Sequence, residues 1–336
     1  MHIPAKKWTK KYPPKRILAI RLQAMGDLVI TLPYLQALRN TLPADTKIDL
    51  LTLEENKSIP HGIELFNKIY SIGGYRNFKK QLAFTFLLLP KILLRRYDVV
   101  LDLQNNPITR MVRKVITPHA WCEFDKFSSL AAGERTRLTI EAIGLGQNFP
   151  ASNFKLKNEI TSIELLKKNG WDGISEIVIL NPAGAFETRN WPLKNYVDFA
   201  KLWLYRFPAT QFLVLGVNST ASKADHFKNE LADKLINLVN KTLPDQAFAI
   251  MKKAKFVLSE DSGLMHIAWV SGIPTLAMFG STHKRSRPLG NHTILLDSSD
   301  LECGNCMLEV CKYGDTHCLT RYSPKMVFER AVSLII

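Results

Sequence analysis

The chain has 336 residues, a formal net charge of +15, 46% apolar residues and 22% charged residues. That apolar content excludes a disordered chain, and the length suits two cores better than one. No nucleic-acid recognition motif accompanies the positive charge, and the basic first sixteen residues are not followed by the apolar core of about 7–15 residues and small-residue cleavage site of a secretory signal, so we expect no nucleic-acid partner and a cytoplasmic protein.

Residues 16–21, RILAIR, form a compact apolar run that reads as a buried strand. A turn containing Gly26 and Asp27 follows, then an amphipathic helix through Leu35, Leu38 and Arg39, which Pro33 either kinks or opens. Asp27 is a helix cap by position, or a carboxylate placed to take a proton from an attacking hydroxyl. Residues 47–52 and 99–103 read as further strands. Between them, the apolar run 82–89 is flanked by Arg76, Lys79, Lys80, Lys91, Arg95 and Arg96. It is too short to span a bilayer and reads equally as a buried helix with solvated flanks or as a segment lying on an anionic membrane face.

The alternation restarts after about residue 155. Strands are expected at 177–180, 211–216, 256–258 and 275–280, and helices at 163–169, 193–207, 245–253 and 267–271. Ser323 and Pro324 open a last helix. Strands joined by helical crossovers predict parallel sheets, and such folds bind ligands at the carboxyl ends of their strands. The polar clusters sit there: residues 23–27, 181–189, 261–266 and 280–283.

Residues 259–266, SEDSGLMH, join a strand to a helix start, where free backbone N–H groups and a partial positive charge suit a phosphate. Asp261, Ser262, Gly263 and His266 are therefore candidate ligand residues. Thr188 and Arg189, in the loop after residue 181, suit an oxygen-rich anion, because a guanidinium makes paired charged hydrogen bonds to phosphate. Thr282, with Ser281, offers hydroxyls after the next strand. The chain has no D-x-D triplet, no G-x-x-x-x-G-K-[ST] and no G-x-G-x-x-G. A diphosphate would then be neutralised by helix ends, Arg189 and Lys194, with no cofactor required for catalysis. Cys122 stands alone and reads as core. Cys303, Cys306, Cys311 and Cys318 are spaced C-x2-C-x4-C-x6-C, which in a reducing compartment suggests either a structural zinc or a packed thiol cluster.

Taken together, these segments resemble the ADP-heptose:lipopolysaccharide heptosyltransferases of glycosyltransferase family 9. The carriers are RILAIRLQAMGDLVITLP at 16–33, NPAG at 181–184 with RNWP at 189–192, DSGLMH at 261–266 and FGST at 279–282, followed by the cysteine-rich tail. Gln23 stands where the family commonly has Ser, Ser281 replaces a Pro, and no acidic residue follows Leu215 and Gly216. The resemblance implies an α/β chain of the GT-B fold, with two doubly wound Rossmann-like domains facing across a cleft. Residues 1–157 would bind acceptor, 158–322 would bind nucleotide sugar, and the helix at 323–336 would pack back on the first domain. It implies inverting, metal-independent transfer of a heptose or related sugar from an ADP-sugar donor to an anionic lipid-sugar acceptor of the lipopolysaccharide core. Asp27 would be the general base and Arg189 the contact to the donor phosphates. Thr188, Asp261, Ser262, Gly263, His266 and Thr282 would bind donor. The enzyme would work at the inner face of the inner membrane in peripheral contact with it. The alternatives are a nucleotide-sugar binding protein without turnover, or a nucleotide-sugar hydrolase or epimerase.

Overall fold

The computed structural model describes residues 3–336, and the chain divides into two compact units between Lys157 and Asn158. The first unit holds strands β1 (Ala5–Lys6), β2 (Arg16–Ile20), β3 (Lys47–Leu53), β4 (Lys68–Ile72), β5 (Val99–Asp102) and β6 (Ala120–Glu123). Its helices are α1 (Met25–Thr41), α2 (Ser58–His61), α3 (Phe78–Leu93), α4 (Pro107–Ile116) and α5 (Ala132–Glu141). The sheet order is β1-β6-β5-β2-β3-β4, parallel except for the edge strand β1, which runs antiparallel to β6. Strands covered on both faces by crossover helices read as unbroken apolar runs, which is why β2 and β5 were visible in the sequence. Leu18, Ile20, Leu51, Ile72, Val100 and Val112 share one core on this sheet.

The second unit holds β7 (Glu176–Asn181), β8 (Thr210–Val214), β9 (Leu235–Asn237), β10 (Ala254–Glu260), β11 (Thr275–Phe279) and β12 (Thr293–Asp297). Its helices are α6 (Glu159–Lys168), α7 (Leu193–Arg206), α8 (Ala221–Leu231), α9 (Pro244–Met251), α10 (Gly263–Val270), α11 (His317–Thr320) and α12 (Pro324–Ile335). The order β12-β11-β10-β7-β8-β9 is wholly parallel. This is the doubly wound Rossmann order, in which the winding reverses between the first and fourth strands, here β7 and β10. In the first unit the same reversal falls between β2 and β5.

Several elements differ from the sequence reading. Helix α1 runs through Pro33 from a start at Met25, so the proline neither opens the helix nor ends it. Helix α10 begins at Gly263 rather than Ile267, because Ser262 caps it by accepting the Met265 N–H. The terminal helix α12 packs into the core of the second unit. Val327 and Ala331 are buried in the core that contains Trp203 and Phe256, and the Phe328 ring lies edge-on to Trp203. Cys122 is fully buried in β6, where desolvation pushes its thiol pKa up. Among the described residues no helix is long and apolar enough to cross a membrane.

Candidate functional site

In the second unit the polar loops spring from the carboxyl ends of β7 and β10, neighbours at the winding reversal. Asn181 ends β7, fully buried, and its side-chain amide donates to the hydroxyls of Ser259 and Ser262 at 2.7 Å each. That fixes the start of α10 against the start of the 182–191 loop. Glu260, the last residue of β10, is fully buried and holds the same loop. Its carboxylate accepts the Gly184 N–H and the Trp191 N–H, both at 2.7 Å. Burial pushes its pKa up to about 7, opposed by Lys223 and by these two N–H groups. Lys223 of α8 completes the bracing by donating to the Pro182 carbonyl at 2.6 Å and to the Asn190 side chain. Gly184 is required here, since a Cβ would stand 2.6 Å from the Arg189 carbonyl oxygen and 2.8 Å from the Glu260 carboxylate.

The braced loop delivers Arg189 to the turn after β10. Its guanidinium lies 3.5 Å from the Asp261 carboxylate and 4.4 Å over the Phe186 ring. Beside it are the capping Ser262 and Gly263, the first residue of α10. Arg189, Asp261, Ser262 and Gly263 are thus brought together. A guanidinium next to an eight-residue helix start presents charge and N–H donors to one anion.

Other expected site residues lie deeper. Thr188, expected at the donor, is 2% exposed and already engaged: its hydroxyl pairs with that of Ser281 at 2.8 Å and donates to the Leu308 carbonyl at 2.5 Å. Its carbonyl also accepts the Ser281 N–H, so it ties the loop to the turn after β11. Gly280 permits this approach, because a Cβ there would meet that carbonyl oxygen at 2.0 Å. Thr282 and His266 are buried as well. Lys194 is exposed on α7 and pairs with Asp198 at 2.6 Å.

In the first unit Asp27 is the third residue of α1, not its cap. The cap position is Ala24, whose N–H the Asp27 carboxylate accepts at 3.2 Å. The carboxylate also pairs with Arg21 at 3.1 Å, with the Asp27 side chain 38% exposed and that of Arg21 7%. Arg21 is held from beneath by the Phe124 ring at 4.8 Å and by the Leu103 carbonyl. Burial pulls its pKa down, and Asp27 opposes that shift. After β5, Gln104 accepts the N–H groups of Leu22 and Gln23, both at 3.0 Å, and so fixes the turn ahead of Asp27.

Sequence reasoning gave no role to Asn181, Lys223, Gln104 or Glu260. Glu260 carried one signal: a carboxylate inside an otherwise apolar strand must find donors or lose its charge.

All four clustered cysteines line a cavity of about 290 Å³ behind Thr188, with Asp315 and His317. Cys318 approaches the Thr188 carbonyl at 4.0 Å, and burial pushes its pKa up to about 11. Backbone N–H groups, foremost that of Tyr313, pull the Cys311 thiol down. Among the described residues no three His, Cys, Asp or Glu side chains are placed to hold a metal ion.

The sequence model of the family described as glycosyltransferase family 9 (heptosyltransferase) matches residues 122–317. Lipooligosaccharide heptosyltransferase 2 of Campylobacter jejuni is 29% identical over 187 residues, covering 54% of this chain and 56% of that protein, so the chain spans little more than half of that relative's length. The glycosyl transferase family 9 structure from Veillonella parvula superposes with a TM-score of 0.78 at 18% identity, covering 96% of this chain and 97% of that one. The E. coli ADP-heptose lipopolysaccharide heptosyltransferase II does so with a TM-score of 0.72 at 16% identity, covering 95% and 98%. These likenesses show the fold: two parallel-sheet α/β domains of the GT-B kind.

Proposed function

From the premise that the chain belongs to glycosyltransferase family 9, we propose that it transfers a heptose from an ADP-heptose donor to a lipopolysaccharide core acceptor, with inversion at the anomeric carbon. The observation that carries this reading is the pairing of Arg189 with the start of α10 on a loop braced by Glu260 and Lys223.

When the acceptor oxygen attacks the anomeric carbon, the bond from that carbon to the β-phosphate oxygen breaks and ADP departs with its electron pair. Negative charge grows on the leaving oxygen. Donors already held in place stabilise it without reorganising, and one such donor is worth about 3–4 kcal/mol. In this reading Arg189 and the N–H groups at Ser262 and Gly263 supply them, with Asp261 at the donor's sugar hydroxyls. Thr188, Thr282 and His266 support these groups from below. Asp27 takes the acceptor's proton. Its accessible carboxylate, aimed by Arg21 and by the Ala24 N–H, suits a group that must meet an incoming hydroxyl.

The acceptor would be an anionic lipid-linked sugar, and the reaction would take place on the cytoplasmic side, at the inner face of the inner membrane. The reading also includes zinc at Cys303, Cys306, Cys311 and Cys318. Four thiols around one cavity are a soft donor set, although they would have to draw together to bind. Metal analysis of the purified chain checks this part: one equivalent of zinc, lost with thiol alkylation, supports it, and a metal-free chain of unchanged stability removes it.

The decisive experiment incubates the chain with labelled ADP-heptose and a heptose-free core acceptor. Label on the acceptor, with the anomeric configuration inverted, supports the proposal. ADP bound without turnover, or free sugar released without acceptor, would replace it with a binding protein or a hydrolase. Thermal shift with ADP, UDP and GDP tests the nucleotide, and ADP should stabilise most.

A further inference from the structure

Helix α3 leaves large apolar side chains on its outer face. Gln81, Thr85, Leu89 and Ile92 form its inner face, and there the Thr85 hydroxyl bonds back to the Gln81 carbonyl at 2.7 Å while the Gln81 amide donates to the Tyr75 carbonyl. Its outer face carries Ala83, Leu87, Pro90 and Leu94, spaced four, three and four residues apart as one helical stripe, with Phe86 beside them. Leu87 is 75% exposed, Leu94 83% and Phe86 55%. Two polar side chains share the inner face with Leu89 and Ile92, while three large apolar ones stay out. A soluble surface rarely leaves such a continuous patch uncovered.

The border of the stripe decides what covers it. Between residues 75 and 97 the sequence has six cations and no acid. They are Arg76, Lys79, Lys80, Lys91, Arg95 and Arg96, and none is in an ion pair among the described residues. At the N-terminal end of α3, Arg76 and Lys80 line an open hollow of about 930 Å³ with Tyr75, Asn77 and Phe84. A second copy of the chain would set these like charges against each other in a two-fold contact. An anionic polymer would meet the cations but not the leucines. A surface with an apolar interior and a negatively charged rim satisfies both.

We propose that the outer face of α3 is the membrane-docking surface of this protein: Phe86, Leu87 and Leu94 enter the headgroup–acyl boundary of an anionic bilayer, and the six cations lie over its phosphates. The proposal deepens the reading of a lipid-linked acceptor, and its test contains neither donor nor acceptor.

The test is co-sedimentation with vesicles of phosphatidylcholine alone, and of phosphatidylcholine with phosphatidylglycerol. The parent chain should pellet with the anionic vesicles only, and less as salt rises. The double variant Leu87→Glu/Leu94→Glu should bind at least about tenfold more weakly, and Lys79→Glu/Lys80→Glu by a similar factor. Both should keep the parent's thermal midpoint and ADP affinity, since these side chains are exposed. Equal pelleting of parent and variants overturns the proposal, as does a parent chain that binds neither vesicle. A parent dimer that Leu87→Glu/Leu94→Glu splits into monomers would also overturn it and give the face to a second copy. Failure of the transfer reading would instead appear as lost ADP binding with vesicle binding intact.

Discussion

In the proposed reading the two units place their chemistry at the same topological point and support it in opposite ways. In each, the first strand at the winding reversal ends in a polar turn, before Asp27 in one and Arg189 in the other. Arg189 stands on a loop braced by charged groups: the buried Glu260 takes two backbone N–H groups, and Lys223 donates to a carbonyl and to an amide oxygen. Asp27 has one N–H and one guanidinium, and more than a third of its side chain is open to solvent. The contrast fits two tasks. Holding a diphosphate calls for donors fixed before the ligand arrives, whereas receiving a proton calls for an accessible oxygen with enough restraint to aim it.

If the division holds, removing the accessible carboxylate destroys rate and spares binding. Asp27→Asn should lower kcat by about 10³-fold with donor affinity within about twofold, read by steady-state kinetics and calorimetry. A loss confined to KM would break the contrast. On the braced side the damage should appear first as stability. Glu260→Ala strands the Gly184 and Trp191 N–H groups and should cost about 3 kcal/mol in denaturant unfolding, with weaker ADP binding as the loop relaxes. Arg189→Ala should leave folding alone and weaken ADP binding by about 30-fold, about 2 kcal/mol, and Lys at that position should restore little of it.

The buried carboxylate also predicts a pH dependence. Its pKa is raised to about 7 from an ordinary 4.5, so the folded state holds the proton more tightly than the unfolded state. The stability linked to that proton is fully present below about pH 4.5 and is lost as pH rises through about 7. Glu260→Gln should flatten this part of the stability–pH curve, and a parental slope in the variant would assign the dependence to other groups. The smallest effect is expected at Lys194, which the sequence offered as a phosphate contact. Exposed and paired with Asp198, it should change ADP affinity less than about twofold on conversion to Ala.

Much of the fold was legible because parallel strands buried on both faces announce themselves as apolar runs. Residues 16–20, 99–102 and 177–180 are cases of this. Strand β4, Lys68–Ile72, and strand β6, Ala120–Glu123, escaped notice because neither holds a run of aliphatic residues: Tyr70 and Ser71 interrupt the first, and the second reads AWCE. Asp27, Arg189 and the start of α10, the groups the proposed function uses, were picked out from local order alone: strand, glycine-bearing turn, helix. The bracing was not, since Glu260 meets its partners 69 and 76 residues away in sequence and does so through their backbone N–H groups, which carry no side-chain signature. Thr188 misled for the complementary reason. A hydroxyl in a polar loop looks available, and only the packing of Ser281 and Leu308 around it shows that it is spent.

The anchoring of the 182–191 loop by Glu260 on β10 and Lys223 on α8 bears on engineering. Transplanting those ten residues into another scaffold would move Arg189 without the two groups that shape its path. A chimera that aims to exchange this loop must therefore cut outside β7 and beyond α10, so that strand, crossover and recipient turn travel as one cassette.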